Sequence, residues 1–166
     1  YSENLSELFS IGEQYINDFV TKSNIGKGKK APLDLIICEN CSLIQLRHTA
    51  PQELLYSRHY WYRSGVTNTM KAALKDVTDS IQEIIEINDG DVVLDIGAND
   101  GTLLDNYINP TVVKIGCEPA NNLIKYLREK TNHVIHDFWS KESYDYHAQK
   151  WEIGKAKVVT ALGMFY

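Results

Sequence analysis

The chain has 166 residues, 43% hydrophobic and 23% charged, with 22 acidic against 17 basic side chains and a net charge of −5. That suffices for one proper core with a small appendage, and an acidic balance without a long basic stripe argues against a nucleic-acid partner. No apolar run approaches the roughly 20 residues that cross a bilayer, the first residues lack a basic-then-apolar signal pattern, and three cysteines make no disulfide framework, so no membrane is expected and the expected setting is the cytoplasm.

Residues 5–20 scatter Leu5, Leu8, Phe9, Ile11, Tyr15, Ile16, Phe19 and Val20 among acids and serines, with a period that fits neither helix nor strand cleanly. The glycine- and lysine-rich run 23–30 marks a solvated loop or hairpin tip, with a lysine clamp for a substrate phosphate as the functional alternative. Two short strands within 32–46 then flank the turn Cys38-Glu39-Asn40-Cys41. Two thiolates on one tight turn can reach a single zinc ion, but a closed tetrahedral site needs four ligands, and the sequence holds no second Cys-x-x-Cys. His48 is a conceivable third ligand at an unusual distance. Half a metal site, a redox dithiol and two structural thiols therefore stay open for Cys38 and Cys41.

Residues 48–65 are dense in rings: Tyr56, His59, Tyr60, Trp61 and Tyr62, followed by Arg63-Ser64-Gly65. Rings of this kind can stack on an adenine, cover a sugar or plug a hydrophobic gap. Trp61 reads as a plug; for Tyr60, Tyr62 and Arg63 plug and ligand contact balance. From Val66 the apolar positions Met70, Ala73, Leu74, Val77, Ile81, Ile84 and Ile85 follow at helical spacing, predicting a helix with one face buried on a sheet and closed by Asn88-Asp89-Gly90-Asp91.

Residues 92–104 read as strand, tight turn and helix start. Val92 to Ile96 is nearly continuous apolar sequence, as a strand buried on both faces requires, and its one polar member, Asp95, should face a ligand. Gly97 and Gly101 bracket a turn that lets the backbone lie against a bound molecule, and a helix should open at Thr102. A dinucleotide fingerprint needs Gly-x-Gly-x-x-Gly, whereas this turn is Gly-x-Asn-x-Gly with acids before and inside it. Asp95 and Asp100 would repel a pyrophosphate but suit an ammonium and a sulfonium, which describes S-adenosylmethionine. A second strand over 112–117 ends at Glu118, 21 residues past Gly97, where the acid of a doubly wound sheet accepts from ribose hydroxyls. Cys117 should be a buried structural thiol. A helix over 121–130, a short strand at 133–136 tipped by Asp137-Phe138-Trp139, a helix capped by Ser140 and a fourth buried strand at 157–162 complete the pattern. His133 and His136 read as structural, and Trp139 as core or ring cover. Strands alternating with helices predict a parallel sheet.

Asp95-Ile96-Gly97-Ala98-Asn99-Asp100-Gly101-Thr102-Leu103-Leu104 resembles the first motif of class I methyltransferases, and its Asn-Asp-Gly-Thr-Leu-Leu form is similar to the branch that C-methylates nucleotide-linked deoxysugars. Tyr60-x-Tyr62-Arg63-Ser64-Gly65 resembles the linker that crosses the cofactor site in that branch, and Glu118-Pro119-Ala120 matches it too. The resemblance implies that Asp95, Gly97, Asn99 and Gly101 cradle the methionine end of the cofactor, Glu118 the ribose, and Asp137 with Phe138 the adenine. Asp100, Pro119, Ala161, Tyr60 and Arg63 complete the implied cofactor set. It further implies a small N-terminal zinc domain with two cysteine pairs, of which Cys38 and Cys41 match the second, the first lying upstream of Tyr1. The family's seven-strand order, 3-2-1-4-5-7-6, leaves strand four as a bare edge here, to be covered by missing chain or a dimer partner. The branch's general base follows strand four, so no catalytic residue is assigned, with Tyr62 the candidate. Met164-Phe165-Tyr166 departs from the branch's asparagine-rich tip.

The expected architecture is thus α/β: a partial zinc-ribbon-like β-rich domain over 1–58, then over 59–166 the linker, first helix and first four strands of a Rossmann-like, doubly wound parallel sheet. The expected function is S-adenosylmethionine-dependent methyl transfer to a small molecule, such as a nucleotide sugar, by a full-length protein truncated here at both ends. A nicotinamide-dependent enzyme and a non-catalytic ligand-binding or assembly module are the alternatives.

Overall fold

The computed structural model describes residues 3–16 and 19–164, so Tyr1, Ser2, Asn17, Asp18, Phe165 and Tyr166 lie outside the described residues. The chain divides into two compact units, Tyr1–Leu55 and Tyr56–Tyr166. The first holds an antiparallel three-stranded sheet, β1 (Leu5–Tyr15), β2 (Lys30–Cys38) and β3 (Ile44–Leu46), in the order β1-β2-β3. The ambiguous period of residues 5–20 resolves into β1, whose register with β2 slips between Glu7 and Phe9 and again between Ser10 and Glu13. Each slip breaks the two-residue alternation by which a strand is read from sequence. Among the described residues of this unit, Ile36 and Cys38 are the buried hydrophobics, while Phe9, Ile11, Tyr15 and Ile44 are each more than half exposed.

In the second unit a parallel sheet runs β6-β5-β4-β7, with β4 (Val92–Ile96) flanked by β5 (Val113–Cys117) and β7 (Val158–Thr160), and β6 (His133–Ile135) outside β5. All five residues of β4 are at most 6% exposed, as a central strand covered on both faces demands. One cover contains Leu74 of α1 (Asn68–Ile84), Leu104, Tyr107 and Leu127 of α2 (Ile124–Arg128), packed with Val93. On the other face Leu94, Ile96, Ile115, Cys117 and Ile135 pack with Tyr144 and Trp151 of α3 (Lys141–Trp151). The fold is therefore α/β with helices on both faces of a four-stranded parallel sheet, compatible with part of a Rossmann-like fold.

Several elements are shorter than the sequence predicts. No α-helix follows the glycine turn: Asp105 N donates to Gly101 O, but the next bonds, Asn106 to Leu103 and Tyr107 to Leu104, tighten into a 3₁₀ turn at Leu104–Asn106. Asp100 accepts from Thr102 N, and the Asn106 amide donates to the Thr102 carbonyl. These side chains thus take local backbone groups, and Pro110 ends any continuation. α2 keeps five of the ten residues assigned to its helix, and β7 keeps three of six, with Val159 54% exposed where full burial was expected. In α1, Leu74 and Thr78 are buried, but Val66 precedes the helix and is exposed, and Ile84 and Ile85 are exposed as well. Trp61 is 44% exposed against His59 rather than a buried plug, and Trp139 is 38% exposed against Tyr144 rather than core. Ser140 does cap α3, accepting from Ser143 N at 3.0 Å. His133 stacks on Trp151 at 4.3 Å between centroids, and Cys117 is fully buried, its thiol pushed up to about 12 by burial.

Gly116 tests the packing of α2 on the sheet. A Cβ there would lie 2.6 Å from Leu127 Cδ1 and 2.9 Å from Cδ2. Gly116→Ala is expected to lower unfolding free energy by about 1–3 kcal/mol in urea titrations, the usual cost of overpacking; an unchanged midpoint would mean that Leu127 gives way.

Candidate functional site

The C-terminal ends of β4 and β5 carry the candidate site. Three left-handed residues within five positions, Gly97 (φ 72°), Asn99 (φ 54°) and Gly101 (φ 75°), fold the chain back after β4. Gly97 N and Ala98 N both donate to Cys117 O, at 2.9 and 3.0 Å, which fastens the turn to the end of β5. Glu118, 5% exposed, then joins the two strand tips: Oε2 accepts from Asn99 N and Oε1 from Ala120 N, each at 2.8 Å. Asp95, 4% exposed, accepts from the Thr160 hydroxyl at 2.7 Å, so three adjacent strands meet around it.

Burial pushes the Asp95 carboxyl up to about 7, against the Thr160 hydrogen bond that favours its charged form, and the neighbouring Glu118 adds repulsion. Glu118 is likewise raised by burial, with its two backbone hydrogen bonds opposing. Two acids held close in a dry site favour a cation or a hydrogen-bond donor as guest.

Asn99 and Asp100 spend their side chains differently from the expectation that they hold a cofactor. Asn99 Oδ1 accepts from Ser64 N at 2.9 Å and its amide donates to Tyr62 O at 3.1 Å, while Asp100 Oδ2 accepts from Gly65 N at 2.9 Å. Residues 57–65 thereby form a strap, tied again where Tyr60 and Asn122 exchange hydrogen bonds at 2.9 and 3.0 Å and where Asn121 N donates to Ser57 O. Gly65 permits the approach, since a Cβ there would come within 2.6 Å of Asp100 Oδ2 and Thr102 Oγ1. Tyr60 is half-buried in the strap, the Tyr62 ring is 46% exposed, and Arg63 lies over the Tyr126 ring at 4.4 Å.

Of the other expected cofactor residues, Pro119 and Ala161 are half-buried beside Glu118 and β7. Asp137 is exposed, with its carboxylate accepting from Phe138 N at 2.7 Å, and Phe138 is half-buried. Sequence reasoning missed Thr160, Asn122 and Met164. Thr160 carried a signal, a polar residue closing a buried strand, whereas the others needed tertiary structure. Met164 covers the glycine turn: a Cβ on Gly97 would lie 2.3 Å from its sulfur.

The residues present fit an S-adenosylmethionine-like guest in one respect, the buried carboxylate pair beside the Gly97 turn, while the space over Gly97 itself is taken by the Met164 side chain. For zinc, Cys38 is buried at the end of β2 and Cys41 is exposed on the turn, which closes through Ser42 N to Cys38 O at 2.7 Å. Among the described residues no group of three or more histidines, cysteines or acids gathers, so these two thiols do not by themselves make a closed site.

Residues 1–56 match a family described as a putative zinc binding domain. The chain is also 32% identical over 92 residues to C-methyltransferase NovU of Streptomyces niveus. Over those residues the chain is similar to a C-methyltransferase. The match takes in 55% of this chain and 22% of the relative, so it spans about a fifth of that protein's length. Among the described residues no helix is long and apolar enough to cross a membrane.

Asp95 gives the site a pH signature. Its folded-state value, about 7, lies above the ordinary 3.8, so the folded chain holds this proton longer than the unfolded one. Its stabilising share is full below the unfolded value and is lost as pH rises through about 7. Asp95→Asn, which can keep the Thr160 hydrogen bond, should narrow the fall in Tm between pH 5 and pH 8 measured by calorimetry; an unchanged fall would show that Asp95 ionises freely in the folded chain.

Proposed function

We propose that residues 56–166 form the cofactor-binding half of a class I S-adenosylmethionine-dependent methyltransferase. The whole protein, on this reading, transfers a methyl group to a small molecule, a carbon of a nucleotide-linked keto-deoxysugar. The observation that carries the reading is the pair of buried carboxylates, Asp95 and Glu118, on adjacent strand tips around the Gly97 turn. A pyrophosphate would be repelled there, whereas an ammonium and a sulfonium would be held. The bound donor would supply an electrophilic methyl on its sulfonium sulfur.

This chain's residues would bind and orient. Gly97 offers bare backbone, Asp95 faces the positive end, and Glu118 keeps lone pairs beyond its two amide bonds for ribose hydroxyls. Asp137, Phe138, Pro119 and Ala161 would border the adenine side. Asn99, Asp100 and Gly101 set the turn and, through Tyr60 to Gly65, hold the strap beside it. Binding at Gly97 requires the Met164 side chain to withdraw. Tyr62, with its ring exposed on the strap, stays the candidate catalytic group of this half. Cys38 and Cys41 would supply two thiolates of a structural zinc site completed by residues beyond those described. Further chain or a second copy would cover β7, which pairs with β4 and with no other described strand.

Calorimetric titration with S-adenosylhomocysteine tests the assignment. Saturable binding is expected, weakened about tenfold or more in Asp95→Ala and in Glu118→Ala through loss of charge-assisted contacts, and strengthened in Met164→Ala. A nicotinamide dinucleotide should not displace S-adenosylhomocysteine from this site. Equal affinity in wild type and both carboxylate variants would sink the assignment.

A further inference from the structure

We propose that a cavity beneath the strap binds the phosphoryl group of a small-molecule ligand through Arg63, Lys71 and Lys130. The cavity measures about 410 Å³ and lies wholly within the second unit. Its cations come from three separate segments: the strap, the first turn of α1 and the chain just after α2. Segments that far apart in sequence do not bring like charges together without some compensation.

The acids in the wall compensate in part. Asp100 has its oxygens met by Gly65 N, Thr102 N and the Thr102 hydroxyl, and it pairs with Arg63 Nε at 3.5 Å and Lys130 Nζ at 3.8 Å. Asp105 is the other acid and is exposed. Three cations thus face two acids, and Lys71 stands outside both ion pairs.

Arg63 is poised for an oxyanion. Its Nε is buried and makes no hydrogen bond despite the nearby carboxylate, and its guanidinium lies over the Tyr126 ring at 4.4 Å. A planar guanidinium fork matches the oxygens of a phosphate, while Lys71 and Lys130 add point charges. Lys71 also sits in the opening turn of the 17-residue α1, where the helix dipole favours an anion. Lys130 already donates to the Thr102 hydroxyl at 3.0 Å, so its ammonium is held at the cavity wall. The volume leaves room for a diphosphate.

This inference does not rest on the cofactor reading, and the two fail separately: one is read with S-adenosylhomocysteine, the other with inorganic pyrophosphate. Pyrophosphate titrated into the intact chain at constant ionic strength should bind saturably. Lys71→Gln, an exposed change that leaves the strap contacts intact, should weaken it about tenfold, the scale of one charge-assisted contact. Asp105→Asn, which removes a facing negative charge, should tighten it severalfold. Absence of saturable binding in the wild type, or equal affinity in wild type and Lys71→Gln, would overturn the proposal and leave Arg63, Asp100 and Lys130 as a structural ion network.

Discussion

The organisation of the sheet's C-terminal end depends on the Glu118 carboxylate. Its two oxygens accept from the amides of Asn99 and Ala120, one on each side of the gap between the β4 and β5 loops. A buried carboxylate is costly unless it is hydrogen-bonded, and an orphan amide in a left-handed turn is costly as well. Each meets the need of the other. Asn99 can therefore hold a positive φ without glycine, and with its backbone set by Glu118 its side chain is free to reach the strap.

The same carboxylate brings tension. Asp95 lies close enough for Glu118 to add to the rise that burial gives it, and among the described residues no cation pairs with either acid within 4 Å. Asp100, by contrast, has Arg63 and Lys130 beside it. The sheet end thus holds one compensated acid on the strap side and an uncompensated pair on the glycine-turn side, a difference that separates a structural carboxylate from ones suited to a guest. The first unit has a different shortage. Ile36 and Cys38 form too small an interior for a sheet whose β1 is exposed along its full length, and small domains of this kind are commonly held by a metal. Cys38, at once buried core residue and first thiol of the turn, sits where such a link would do most.

Much of the parallel sheet was legible in the sequence because its signals are local. Val92 to Ile96 is apolar on both faces but for Asp95, Gly97 and Gly101 can take left-handed φ, and Glu118 falls where a second strand must end. β1 was illegible because two register shifts destroy its alternation. The helix expected at Thr102 was overestimated because Asp100 and Asn106 bond to nearby backbone, a competition that apolar periodicity does not register. In the candidate site, residue types were readable but side-chain partners were not. Nothing local distinguishes Asp95, held by Thr160 from a strand 65 residues away, from Asp100, held by a strap 35 residues upstream.

Those long-range partners also link the two candidate binding regions. The turn that carries Gly97 continues into Asn99 and Asp100, whose side chains fix Ser64 and Gly65, and the strap in turn presents Arg63 to the cavity beneath it. A guest that orders the turn would lower the entropic cost of ordering the strap, and an anion that holds Arg63 would do the reverse by the same amount, since such coupling is reciprocal. Asn99 is the joint through which it passes: its amide is fixed by Glu118, its Oδ1 by Ser64 and its Nδ2 by Tyr62.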